Sequence, residues 1–396
     1  MRTHTPTAHL ATAIVTAAIV TAAIVVATLT ACTPAGPNPE PTAAGAPPTA
    51  PSPTAGSGLD SGSNPDAFAP LAPTGELETL ITGLQSPWSI VPLATGSIFV
   101  SERNSGRIVE LTPDGDLVVV GTVAGVAAGG EGGLLGLAAR DTGTPYLYAY
   151  LTSDTDNRIV RMRLTGSPGQ YTLGAADVLL EGIPKARTHN GGRLAFGPDG
   201  MLYATTGDAQ QTSLAQDPNS LAGKILRLTP DGLVPPDNPI ADSYVYSLGH
   251  RNSQGLAFDR SGQLWAAEFG QNTWDELNRI VPGGNYGWPV AEGSAGQSGF
   301  IDPEQQWATS EASPSGLGIV DDTLFMTGLR GQRLWGIDVA SPDQGRPYFA
   351  GELGRIRDAV AAPDGRLLIL TNNTDGRGDP RPGDDHLYAV TLAARD

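Results

Sequence analysis

Apolar residues in this chain come in short runs bounded by turn residues, without a sustained helical period after residue 32. From about residue 76 one unit recurs. A short apolar strand leads through a tight Asp/Gly/Pro turn into a second strand that opens on an apolar or aromatic pair. Its six occurrences run from Trp88 to Phe99, Leu135 to Tyr148, Leu194 to Tyr203, Leu256 to Trp265, Leu317 to Phe325 and Ala359 to Leu368. Further strand-like segments, such as Arg107–Leu111 and Arg158–Met162, lie between them. Four strands per unit, repeated radially, predict an all-β fold, a six-bladed β-propeller with four-stranded antiparallel blades over residues 76–396. The alternative is a β-sandwich or a pair of small β domains.

The N-terminal 75 residues do not share this pattern. Residues 11–31 are an uncharged Ala/Ile/Val/Thr run ending in Leu29-Thr30-Ala31-Cys32. That ending resembles a bacterial lipobox, so residues 1–31 are read as a lipoprotein signal peptide and Cys32 as the lipidated residue. An uncleaved anchor is the other reading, because about 20 apolar residues can span a bilayer. Both place the remainder outside the cytoplasm. Residues 32–75 are Pro, Ala, Thr, Gly and Ser with few large apolar side chains, a composition that reads as a disordered tether. Cys32 is the single cysteine, so no intramolecular disulfide can form. A net charge of -17 argues against a nucleic-acid partner.

In a propeller, ligand-binding groups fall at equivalent loops of successive blades, and polar residues recur there. Glu131 lies in a glycine-rich turn before the second unit, where the bland reading is a solvated turn. His189 precedes the third unit in Thr188-His189-Asn190-Gly191-Gly192-Arg193, and Asp208 ends its second strand. A carboxylate near an imidazole fixes the tautomer and supports proton uptake. Gly249-His250-Arg251-Asn252-Ser253-Gln254 precedes the fourth unit, and a permanently charged Arg251 suits an anionic oxygen. The segment from Glu268 to Glu276, followed by Gly284-Asn285-Tyr286-Gly287-Trp288-Pro289, offers oxygen donors for a hard cation such as Ca²⁺. Arg355 and Arg357 alternate on a strand and face the same way, as a polyanion would require. Pairing with Asp358 or Glu352 is the structural alternative.

Together these segments resemble the soluble quinoprotein glucose/sorbosone dehydrogenase family, including the aldose sugar dehydrogenases, over roughly residues 76–392. The most specific are His189-Asn190-Gly191-Gly192-Arg193, Gly207-Asp208, Gly249-His250-Arg251-Asn252 and Gly284-Asn285-Tyr286-Gly287-Trp288-Pro289. The resemblance implies pyrroloquinoline quinone (PQQ) and Ca²⁺ as cofactors, and oxidation of the C1 hydroxyl of a sugar to a lactone. It makes His189 the general base, Asp208 its orienting partner and Arg251 the stabiliser of the hydride-accepting carbonyl, with Glu131 beside the substrate. Asn252, Arg330, Arg355 and Arg357 would bind the cofactor. The carbonyls of Gly270 and Gln271 would hold Ca²⁺ against it, and Asp275, Glu276 and Tyr286 match positions near a second Ca²⁺ site.

Three departures from the family pattern stand out: Glu131 replaces a glutamine, Thr188 replaces an acidic residue, and the inserted loops are short. They point to the aldose sugar dehydrogenase branch. The protein is expected to be a monomer whose partners are a small sugar, an external electron acceptor and the membrane through the lipid anchor. The rival functions are a Ca²⁺-dependent lactonase and a non-catalytic binding module on the cell surface.

Overall fold

The computed structural model describes residues 69–140 and 145–395, besides Met1. The signal segment, Cys32 and most of the tether lie outside the described residues. Among those described, 24 strands form six four-stranded antiparallel sheets. The innermost strands are Pro87–Pro92, Leu134–Arg140, Leu194–Phe196, Ser253–Phe258, Pro314–Val320 and Ile356–Ala361. Each coincides with the start of one sequence unit. Successive inner strands pack on one another, and Ile356–Ala361 packs on Pro87–Pro92, which closes the ring. Blades are numbered here from one to six in that order.

The first and last described strands complete blade six together. The first strand, Leu71–Ile81, pairs antiparallel with Leu387–Ala394 as the outer strand of blade six. It begins inside the stretch whose composition reads as tether. Its polar, largely exposed face (Thr74, Gly75 and Glu76) gives no strand pattern in the sequence.

The burial pattern explains which strands were legible. Every blade lies between two neighbours, so the second strands are buried on both faces and read as continuous apolar runs, as in Leu367–Thr371. Outer strands such as Ser341–Tyr348 and Thr172–Ile183 are half-buried to exposed along most of their length, with no regular apolar alternation. Glycine in the inner strands allows the close approach: a Cβ on Gly136 would lie 2.2 Å from the carbonyl oxygen of Gly192 in the next blade.

Buried charges tie the blades together at the channel. Arg193 of blade three bonds Asp358 of blade six at 2.8 Å and the Gln254 carbonyl of blade four at 2.8 Å. Its guanidinium lies 4.3 Å from the ring centroid of Trp88 in blade one. Arg193 Nη2 is left without a partner. Removing one member of such a buried pair strands the other charge and costs on the order of 3–5 kcal/mol.

Candidate functional site

The site is assembled from two recurring positions, the loop before each inner strand and the end of each second strand. Glu131, His189, Arg251 and Arg355 come from the first, and Asp208, Glu268, Arg330 and Asp375 from the second. The loop at His189 presses on the strand end that carries Asp208. A Cβ at Gly207 would lie 1.9 Å from the His189 carbonyl oxygen, so only glycine fits there. His189 itself takes the left-handed conformation at φ 60°, a costly state for a side-chain-bearing residue. Two bonds hold it: Glu131 Oε2 accepts its backbone N–H at 2.9 Å, and its carbonyl accepts from Ala209 N at 3.2 Å.

The His189 ring is fixed from both ends. Nδ1 faces Asp208 Oδ1 at 2.8 Å, and Nε2 faces Arg251 Nη2 at 3.0 Å. Burial would raise the Asp208 carboxyl, but the bonds from His189 and Trp288 outweigh it and hold the group below its ordinary value. Asp208 is therefore an anion that accepts Nδ1–H. A guanidinium can only donate, so Nε2 presents its lone pair. Both neighbours impose the neutral tautomer that a general base needs. Trp288 Nε1 and the Gln210 N–H donate to Asp208 at 2.9 and 2.8 Å, fixing the carboxylate in turn.

Arg251 is anchored through its backbone, whose N–H donates to buried Glu268. Its Nη1 donates to the carbonyls of Gly270 at 2.6 Å and Phe269 at 3.3 Å, while Nε is buried without a partner. Asn252 Oδ1 accepts from Gly191 N at 3.0 Å and so ties the loop of Arg251 to that of His189.

Two connected lobes adjoin these groups. One, of about 270 Å³, is lined by His189, Arg251, Asn252, Gly270, Gln271 and Asp275. The other, of about 300 Å³, is lined by Trp88, Gln254, Arg355, Arg357 and Asp375. Glu131, Phe269, Ser313, Arg330 and Arg377 line both. Arg355 and Arg357 do face one way, but their acid is neither Asp358 nor Glu352. It is Asp375, at 2.9 Å from Arg355 and 3.5 Å from Arg357, while Asp358 on the alternate face takes Arg193. Nε of both arginines is buried and unpartnered, and burial pushes Arg357 below its ordinary value against the pull of Asp375. Two carboxylates, Asp375 and Glu131, among five arginines, with orphaned donors beside a cavity, fit a polyanionic planar ligand such as PQQ.

The oxygen-rich loop is arranged differently. Asp275 accepts from the N–H groups of Gly270 at 2.9 Å and Ser313 at 2.6 Å, and burial pushes it up to about 6. Glu276 is buried and raised, first by burial and then by repulsion from Glu268. Its Oε1 accepts from Gly293 N at 2.7 Å and its Oε2 from Asn278 Nδ2 at 3.0 Å, leaving Asn278 Oδ1 without a donor. Facing carboxylates beside an unpaired amide oxygen suit a hard cation. The Tyr286 hydroxyl is spent on Arg279 O and Val281 N, and its ring stacks on His250. Among the described residues no three His, Cys, Asp or Glu side chains converge as a metal cage, so further donors would have to be carbonyl or amide oxygens.

The profile of the family described as Glucose / Sorbosone dehydrogenase matches residues 84–379, most of the ring just described. The chain belongs to this family. The structure of the PQQ-bound form of aldose sugar dehydrogenase from Streptomyces coelicolor is 48% identical, covering 83% of this chain and 99% of that one, with a TM-score of 0.78. Quinoprotein glucose dehydrogenase B of Acinetobacter calcoaceticus is 35% identical over 258 residues, which are 56% of this chain and 54% of that protein. Aldose sugar dehydrogenase YliI of Escherichia coli is 34% identical over 226 residues, 49% of this chain and 60% of that protein. The chain thus matches about half to three-fifths of the length of these two curated relatives.

Asp375, Arg103, Arg377 and Trp88 were not singled out as site residues in the sequence, although Trp88 opens the first repeat unit. A signal existed for the first three. Asp375 follows the buried second strand of blade six as Asp208 follows that of blade three, and Arg103 and Arg377 lie at or just past the same blade position.

Proposed function

We propose that this chain is a PQQ- and Ca²⁺-dependent dehydrogenase that oxidises the C1 hydroxyl of an aldose to a lactone and passes the electrons to an external acceptor. The observation that carries the reading is His189, held between Asp208 and Arg251 as a neutral base at the wall of a cavity walled by buried arginines. PQQ would supply the two-electron, hydride-accepting chemistry and Ca²⁺ a Lewis acid. Arg355 and Arg357, with Arg330 at the exposed rim, would hold the cofactor carboxylates, and Asn252 would contact it. The carbonyls of Gly270 and Gln271 are the donors assigned to the cofactor-side Ca²⁺, and Glu276 with Asp275 to the second.

His189 Nε2 takes the proton of the C1 hydroxyl. The incoming hydroxyl displaces Arg251 Nη2 from that nitrogen and frees the guanidinium to donate to an oxygen gaining negative charge. Asp208 stabilises the imidazolium through Nδ1–H, and Trp288 keeps Asp208 from turning away. Glu131 fixes the His189 backbone through its N–H. The lipobox-like ending at Cys32 supports an extracytoplasmic location for this ring, on a lipid anchor at that residue.

The test is reconstitution. Full-length protein loaded with PQQ and Ca²⁺ is assayed with a panel of aldoses and a dye acceptor, following dye reduction and lactone formation. Dye reduction that requires PQQ and yields the lactone is expected. No turnover of any aldose by protein shown to carry PQQ would overturn the reading, and lactone hydrolysis independent of PQQ would favour a hydrolase.

A further inference from the structure

A third depression, of about 490 Å³, opens beside the two lobes. Its walls include Arg103, Arg187 and Arg377, and Asp375 is the one acid among its lining residues. Arg377 lines this groove and both lobes, so the three spaces meet at its side chain.

The acids nearby, Asp375 and Glu131, are outnumbered by the arginines they face. Asp375 is already shared by Arg355 and Arg357. Arg103 spends Nε on the Asn104 side chain at 2.9 Å and Nη2 on the Asp375 carbonyl at 3.1 Å, neither of them a carboxylate. Arg377 gives Nη1 to Glu131 Oε1 at 2.5 Å, and the side chain is still half exposed. Arg187 is exposed and makes no side-chain hydrogen bond or ion pair among the described residues. In a chain with a net charge of -17, a concentration of guanidinium groups at the mouth of its site favours an anion locally.

The groove also has the right neighbours. The Arg187 carbonyl accepts the N–H of Glu131 at 2.8 Å, and Glu131 holds the backbone of His189. Arg187 is two residues before His189 in the chain. A sugar whose C1 hydroxyl lies at His189 Nε2 therefore has this arginine-lined space beside it.

We propose that the groove binds the anionic substituent of an acidic aldose, so that the substrates of this site are sugars carrying a carboxylate or phosphate rather than neutral ones. This rests on the dehydrogenase reading above and narrows its substrate class. The anionic group is a handle and takes no part in the redox step. PQQ would supply the acceptor for the C1 hydride and His189 would take the hydroxyl proton, as for a neutral aldose. Planar arginine forks match a carboxylate two bonds at a time and accept a phosphate equally, so the identity of the anion is left to the test.

Calorimetric titrations of the full chain with D-glucuronate, D-glucose 6-phosphate and D-glucose, with and without PQQ, read the groove directly. At least one anionic sugar is expected to bind about tenfold more tightly than glucose, with an advantage that shrinks as salt is raised. Arg187→Ala should reduce that preference about threefold, Arg187→Glu should abolish it and Arg187→Lys should keep most of it. Arg187 is exposed, so these variants test the groove and not the fold. Equal affinities for charged and neutral sugars, or a preference untouched by Arg187→Ala, would overturn the proposal. Because the readout is binding, a protein that binds anionic sugars yet oxidises none would refute the dehydrogenase reading and leave the groove standing.

Discussion

Replacing His189 by glutamine should lower turnover of an aldose about 1000-fold, with cofactor affinity changed by no more than about threefold. Glutamine can still bond Asp208 and Arg251 but cannot take a proton at neutral pH, so the loss falls on the chemical step. Single-turnover reduction of the bound cofactor separates that step from sugar binding, and the rate of reduction should carry the whole effect. Asp208→Asn makes the complementary case. An amide can donate to Nδ1, which turns the imidazole to the wrong tautomer and puts a hydrogen on Nε2, with a loss of similar size. Turnover within about tenfold of the native rate in either variant would show that the proton leaves by another route.

Lys224→Met should destabilise the ring by about 3 kcal/mol at pH 7, without touching a ligand. The buried ammonium donates to the carbonyls of Leu214, Ala215 and Ala222 at 2.7, 2.9 and 2.7 Å. Methionine removes all three charge-assisted bonds and leaves Ala222 O without a donor, while Leu214 and Ala215 keep the N–H groups of Asp217 and Gly249. The Lys224 backbone meanwhile bonds Thr206, so the lysine pins the loop that follows Asp208. Burial pushes Lys224 down from 10.5 to about 8. Between those values the unfolded chain binds the proton that the folded one has lost, so the lysine's contribution to stability rises with pH across that window. At about 1.4 kcal/mol per pH unit, the native chain should gain about 3 kcal/mol relative to Lys224→Met between pH 8 and 10.5. Denaturant unfolding of both proteins across that range measures the difference. A gap independent of pH would mean that the lysine titrates normally.

Much of this was legible in the sequence because it is local. The six inner strands announce themselves as apolar runs, and the ligand-facing loops as glycine-flanked polar residues just before them. His189 and Asp208 are 19 residues apart and belong to one blade, so their union follows from a hairpin. Partners supplied by another blade were not legible. Glu131 meets Arg377 across 246 residues and Arg193 meets Asp358 across 165, contacts that exist only once the ring closes. The sequence offered Asp358 to the paired arginines because it is adjacent, whereas strand alternation turns it to the opposite face and gives it to Arg193. The outer strands failed to announce themselves for a different reason: facing solvent, they need no apolar pattern.

The central claim is that buried arginines form a cofactor site, and the most direct measurement is an optical titration of the full chain with PQQ in the presence of Ca²⁺. Native protein and Arg355→Ala/Arg357→Ala are compared, with the fold of the variant confirmed by near-ultraviolet circular dichroism. The account predicts saturation at one equivalent per chain and a loss of affinity of about 100-fold or more in the folded variant, from two charge-assisted contacts removed. No saturable binding by the native chain, or equal binding by the two proteins, would contradict it.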